Sequence, residues 1–164
     1  MNIKIIIHSR TGHTLLVAQQ LCDRLLAAGH SAAVEQVAAL KDSGRDAGSV
    51  VLTNSPSTAG CDLVIFGAPV HGFALSFAMQ AYLKSLPSLE GKLVLGFVTM
   101  AFPHPAMGGY QAISQLSQLC RQKGAGFPAA ETIQWMRFFS RKRLISKAVE
   151  RMATFAEIHK NPPA

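Results

Sequence analysis

Residues 3–14, Ile3-Lys4-Ile5-Ile6-Ile7-His8-Ser9-Arg10-Thr11-Gly12-His13-Thr14, pass from a β-branched apolar run straight into a turn with three hydroxyls and one glycine. Ile3 to Ile7, broken only by Lys4, predicts a buried strand. From Thr14 to Ala28 the apolar residues Leu15, Val17, Ala18, Leu21, Cys22, Leu25 and Leu26 recur at helical spacing, and Gly29 follows where a helix end favours a left-handed residue. The turn from Ser9 to Thr14 therefore lies between a strand and a helix N-terminus, where backbone N–H groups lack intrahelical acceptors and the dipole is positive. A phosphate monoester there would accept the Ser9, Thr11 and Thr14 hydroxyls together with main-chain N–H groups from Arg10, Thr11, Gly12, His13 and Thr14. Each hydrogen bond to a charged group contributes about 1.5 to 3 kcal/mol, so about five or six hold a dianion without a lysine clamp. An ordinary capped turn would use one hydroxyl, from Ser9 or Thr11.

The same reading extends outward. Ser31 to Val37 predicts a second strand, and Ala38 to Gly60, rich in Ser, Gly, Asp and Asn, an irregular connection with one short helix. Leu63 to Phe66 is the third strand, Ala74 to Leu86 a helix, Leu93 to Thr99 the fourth strand, Tyr110 to Lys123 a helix and Ala129 to Gln134 a weaker fifth strand. The last helix runs from Arg141 to His159, with Leu144, Ile145, Ala148, Val149, Met152, Phe155 and Ala156 on one face. Strands alternating with helices, and strands apolar along their whole length, predict a parallel sheet covered on both faces.

The length of 164 residues fits one domain, 1–160, with a tail at 161–164. Apolar residues make up 49% and charged residues 15%, which excludes disorder for most of the chain and leaves no need for a disulfide or metal staple. Cys22, Cys61 and Cys120 are odd in number and far apart, fitting a reducing cytoplasmic setting rather than a disulfide or zinc framework. No apolar run is long enough to span a bilayer, and no export signal opens the chain. The net charge of +7 is concentrated at the end: from Met136 onward Arg137, Arg141, Lys142, Arg143, Lys147, Arg151 and Lys160 face only Glu150 and Glu157. Such a stripe can attract nucleic acid, anionic lipid or an acidic protein, or be a solvated helix face. No recognition helix or aromatic-rich strand motif supports nucleic-acid binding.

Rival phosphate loops are excluded by spacing: neither G-x-x-x-x-G-K-[ST] nor G-x-G-x-x-G occurs, and no acidic residues end the first strand as a phosphoacceptor domain would need. Ser9-x-Thr11-Gly12-x-Thr14 after an apolar strand instead resembles the phosphate loop of the flavodoxin family, which holds the phosphate of flavin mononucleotide (FMN). The resemblance implies a three-layer α/β/α fold with a five-stranded parallel sheet of order 2-1-3-4-5 and FMN at the switch point between strands 1 and 3.

By the same resemblance, Gly67 to Phe73 and Thr99 to His104 stand where the family places its two isoalloxazine loops. This implies ring contacts from Pro69, Val70, His71, Gly72, Phe73, Thr99, Met100, Ala101 and Phe102, with Gly72 in the peptide that meets the flavin N5. His71, Phe73, Met100 and Phe102 can supply flat or apolar faces, and the backbone around Gly72 and Ala101 can approach a ring edge closely. His71 and His104, without a nearby carboxylate or thiol, make a poor metal set. Trp135 and Tyr82 carry no functional signal by position.

The chain differs from typical members in its positive charge, in His13 replacing the usual Asn, and in lacking a Tyr or Trp within either ring loop. The implied function is electron transfer between redox partners, one of them an acidic ferredoxin-like protein or reductase, by a monomer or homodimer. The alternative is an FMN-dependent NAD(P)H or quinone oxidoreductase, with the 102–109 loop lining a substrate pocket.

Overall fold

A computed structural model describes residues 1–40 and 47–160. The expected tail at 161–164 and part of the 38–60 connection lie outside the described residues. Strand β1 (Asn2–Ile7) is central, pairing in parallel with β2 (Ser31–Gln36) on one side and β5 (Leu63–His71) on the other. β5 then pairs in parallel with β7 (Leu93–Met100), and β7 with β8 (Gly126–Gln134), giving the order β2-β1-β5-β7-β8. This is the expected doubly wound topology, with the reversal of strand order falling between β1 and β5.

Strand alternation splits the core in two. Ile6, Val64, Phe66, Val94 and Val98 point to the face covered by α2 (Phe77–Ser85) and α3 (Gly109–Gln122), where Met79, Tyr82, Leu83 and Leu116 meet them. Ile3, Ile5, Ile7, Leu63, Ile65, Leu95 and Phe97 point to the opposite face, against Val17, Leu21 and Leu25 of α1 (His13–Ala27) and Ile145, Val149 and Met152 of α4 (Arg141–Lys160). Each buried aliphatic side chain contributes about 1.5 to 3 kcal/mol, so the two faces hold the three layers together. Close fit needs glycine at two strand positions. A Cβ on Gly67 would strike Phe97, and one on Gly96 would come within 2.5 Å of Leu116 and 2.7 Å of Phe127.

Several expected boundaries move. The third strand does not stop at Phe66 but continues to His71, so Gly67, Ala68, Pro69, Val70 and His71 are strand and not loop. The residues after it do not enter a helix at Ala74: Ala74 and Leu75 form a short antiparallel strand, β6, pairing with His71 and Val70. The helix starts at Phe77, because the chain first folds back on itself through the two-residue turn Gly72-Phe73. The fourth strand runs one residue past the expected Thr99 to take in Met100, and β8 begins at Gly126 rather than Ala129. Within the 38–60 connection a 3-10 turn at Ala47–Ser49 accompanies a two-stranded ribbon, β3 (Ala38–Ala39) with β4 (Leu52–Asn54).

Candidate functional site

Helix α1 begins immediately after Gly12, whose φ of 82° turns the chain from strand to helix without a side-chain cap. The first intrahelical bond runs from Leu16 N–H to Gly12 carbonyl at 2.9 Å, so the N–H groups of His13, Thr14 and Leu15 have no acceptor within the helix. Leu15 N–H donates to Ser9 Oγ at 3.3 Å, which makes Ser9 the residue that holds the turn closed. Arg10, Thr11 and Gly12 are exposed, and His13 is half-buried.

The three hydroxyls are not equivalent. Thr14 is 1% exposed and its Oγ1 meets Oγ1 of Thr99 at 2.8 Å, tying the start of α1 to the end of β7. Of the triad expected to face outward, Thr11 alone is exposed, Ser9 is half-buried and Thr14 is turned inward. The strands forced this on Thr14, since a parallel sheet brings the carboxyl end of β7 under the first turn of α1.

A cleft of about 380 Å³ opens at the carboxyl ends of the strands, within the range of roughly 300 to 1,000 Å³ usual for small-molecule sites. It is lined by Thr11 and His13 from the first loop, Pro69, Val70 and His71 from β5, and Thr99, Met100 and Ala101 from the end of β7. Three segments far apart in sequence thus converge on one concavity. Trp135 and Met136, after β8, complete the wall. Neither was expected there. Trp135 is half-buried with its ring stacked on that of His13 at 3.9 Å between centroids, and Trp135 N–H donates to Met100 carbonyl at 2.7 Å. An indole just beyond the carboxyl end of the last strand was the available signal, because the neighbouring ends of β1, β5 and β7 supply the rest of this cleft. Burial first, and the nearby Arg141 charge second, push the His13 imidazole pKa below its ordinary value.

Gly72, Phe73 and Phe102 lie outside the cleft wall. The Gly72-Phe73 turn has φ of 54° and 65°, the doubly left-handed conformation of a tight hairpin. Phe73 is the one non-glycine residue with positive φ among the described residues, a conformation that is strained for a bulky side chain. Its ring is parallel to that of Phe102 within 3°, with centroids 5.9 Å apart, and the two are 53% and 42% exposed. Gly108 braces the turn from behind: a Cβ there would come within 2.6 Å of Phe73 Cα. Beneath the hairpin, the buried His8 Nδ1 and Ser76 Oγ are 2.9 Å apart, and the His8 and His71 rings meet edge to face at 6.2 Å. His104 stands outside the cleft wall, exposed on the 101–108 loop.

The parallel sheet, its two helix layers and the cleft at the switch point define a flavodoxin-like fold. No family model and no curated protein sequence matches the chain. Among solved structures, oxidised flavodoxin 2 from Bacillus cereus superposes with a TM-score of 0.69 at 19% identity, covering 96% of this chain and 99% of that one. The Streptococcus pneumonia TIGR4 flavodoxin gives 0.65 at 17% identity over 94% and 99% of the two chains. A flavoprotein in complex with FMN from Lactobacillus acidophilus NCFM gives 0.62 at 13% identity over 90% and 97%. At these identities the likeness establishes the fold. No helix among the described residues is long and apolar enough to cross a membrane.

Proposed function

We propose that this chain binds FMN and carries electrons between redox partners. The observation that carries this reading is the convergence of Thr11 and His13, Pro69 to His71, and Thr99 to Ala101 on one cleft at the switch point. The donor set fits the cofactor. Val70, Met100, Ala101, Trp135 and Met136 offer apolar surface for a flat ring, while Thr11 and the N–H groups that open α1 suit a dianionic ester. The solved flavoprotein with FMN has the same fold and supports the choice of ligand.

Bound FMN would supply one- and two-electron redox chemistry. The chain's own residues bind and orient. Ser9 would fix the shape of the phosphate loop through Leu15 N–H, and Gly12 would let the backbone turn toward the phosphate. Arg10, Thr11, His13 and Thr14 would complete that loop, with Thr14 acting through its bond to Thr99. Gly72 and Phe73 on the hairpin, with Phe102 opposite, would bound the ring at the mouth of the cleft.

The partner suited to this surface is acidic. Exposed Arg10, Arg137, Lys142 and Arg143 are carried by segments that enter or flank the cleft wall, where positive potential steers an acidic ferredoxin-like protein or reductase to the ring edge. Three free cysteines suit a reducing cytoplasmic compartment. A second reading, an FMN-dependent NAD(P)H or quinone oxidoreductase, draws on the exposed parallel pair Phe73 and Phe102, which could receive a flat substrate.

The decisive experiment is the absorbance spectrum of the purified protein, with any flavin released and identified. Yellow protein yielding FMN is expected, and a protein that neither retains nor takes up flavin would sink the reading. NADPH consumption by the flavin-loaded protein without a partner would move the function to the oxidoreductase.

A further inference from the structure

Helix α4 opens with three consecutive cations, Arg141-Lys142-Arg143, and has no acidic residue in its first turn. Positive charge at the positive end of a helix is unfavourable, so this turn runs against the helix's own electrostatics. Local violations of that kind gather at functional sites. Arg141 is also unlike the other cations of the helix. It is half-buried, with Cζ 4.9 Å from the centre of the Trp135 ring and 5.6 Å from that of Phe138. Arg151 pairs with Glu131, Lys160 donates to Gly29 carbonyl, and both Glu150 and Glu157 are engaged by Arg24. Among the described residues no carboxylate pairs with Arg141.

Two stacking contacts connect this guanidinium to the phosphate loop. Arg141 lies over Trp135, and Trp135 lies on His13, the first residue of α1. His13 is held toward its neutral form by burial and by Arg141 itself, so the imidazole does not furnish the loop's positive charge. Arg10 does carry charge on the loop, but it is exposed and screened by water.

We propose that Arg141 is the counter-charge for the phosphate end of the ligand, a specificity residue that acts across the Trp135 ring to make the cleft prefer a phosphorylated flavin over an uncharged one. This rests on the FMN reading above. Arg141 need not touch the phosphate. Its guanidinium lies against two aromatic rings, so less side-chain freedom remains to be lost on binding, and partial burial weakens the screening of its field.

The test titrates the full chain, freed of flavin, with FMN and with riboflavin at low and high salt, comparing wild type, Arg141→Met and Arg141→Lys. Arg141→Met keeps an apolar stem over Trp135 and removes the charge. Its FMN affinity should fall about fivefold or more at low salt, its riboflavin affinity should not change, and the difference should narrow at high salt. Arg141→Lys should retain most of the FMN preference. An undiminished FMN preference in Arg141→Met would overturn the inference alone, and so would an equal loss for both flavins, which would reduce Arg141 to a prop for Trp135. A wild-type protein that binds FMN no more tightly than riboflavin would overturn the phosphate-loop reading and this inference with it.

Discussion

The hydroxyls of Thr14 and Thr99 meet at 2.8 Å beneath the first turn of α1, joining two residues that are both at most 3% exposed and 85 positions apart. This bond fixes where the helix N-terminus stands relative to the end of β7, the two supports of the cleft.

Removing one partner strands the other in a buried site. Thr14→Val or Thr99→Val should each lower stability by about 1 to 3 kcal/mol. The double variant should lose less than the two single losses combined, because both polar groups then disappear. Denaturant unfolding of the three variants measures this. Additive losses would mean that the hydroxyls are not coupled.

The hairpin tip offers a second check. Gly108 has φ of 100°, and an added Cβ would meet the Phe73 backbone at 2.6 Å, whereas Gly91, with φ of 73°, has open space. Gly108→Ala should therefore cost more than Gly91→Ala, by about 1 to 3 kcal/mol for the forced contact. Phe73→Gly should relieve strain of about 1 kcal/mol while removing an exposed face from the cleft mouth. Stability should hold or rise as flavin affinity falls, read by thermal unfolding and flavin titration. A large loss of stability in Phe73→Gly would show that its ring, not its backbone, holds the hairpin.

Acid should weaken the fold through two histidines. His30 is 5% exposed with neither ring nitrogen hydrogen-bonded among the described residues, and burial first, then the N-terminal charge, lowers its pKa. His13 is lowered as well, by burial and then Arg141. Both groups prefer to be neutral when folded, so the unfolded chain takes up protons first as pH falls. Stability should be full above about pH 6.5, the unfolded value, and should decline as pH drops from there through the lowered folded values. His30→Leu should flatten part of that decline and, by removing an unpartnered buried ring, add about 1 kcal/mol at neutral pH. An unchanged acid limb in unfolding curves of His30→Leu would exclude His30 as its source.

On the proposed FMN reading, the net charge of +7 should leave its mark on the flavin. A unit charge about 10 Å away in water is worth roughly 0.4 kcal/mol, about 18 mV for one electron. Several cations near the cleft should thus make the flavin reduction potential less negative than in an acidic flavodoxin by tens of millivolts, an effect that salt diminishes. Spectroelectrochemical titration at two ionic strengths tests this, and an equal or lower potential would refute it. Electron-transfer rates with an acidic partner should fall as salt rises.

The first strand and the position of the turn after it were legible, since a β-branched run followed by hydroxyls and glycine encodes its local structure directly, but the inward direction of Thr14 was not. Both faces of the sheet followed from continuous apolar strands. The hairpin of β5 and β6 was not legible: Gly72 suits a tight turn but Phe73 beside it does not, and Phe73 takes its left-handed conformation where Gly108 leaves room for its backbone and the ring of Phe102 lies parallel to its own. Trp135 escaped notice for a similar reason. Its one mark in the sequence is its place just beyond the last strand, and only the packing of strand ends turns that place into a wall of the cleft.

Sequence alone determined the doubly wound α/β sheet, the phosphate-loop candidate and the positive charge of the last helix, because periodicity, turn chemistry and charge are local properties. Tertiary structure decided which hydroxyl faces outward, which aromatic closes the cleft and which of seven late cations stands beside it. Those choices depend on which strand ends become neighbours once the sheet forms, and that is set by packing between segments as much as 122 residues apart.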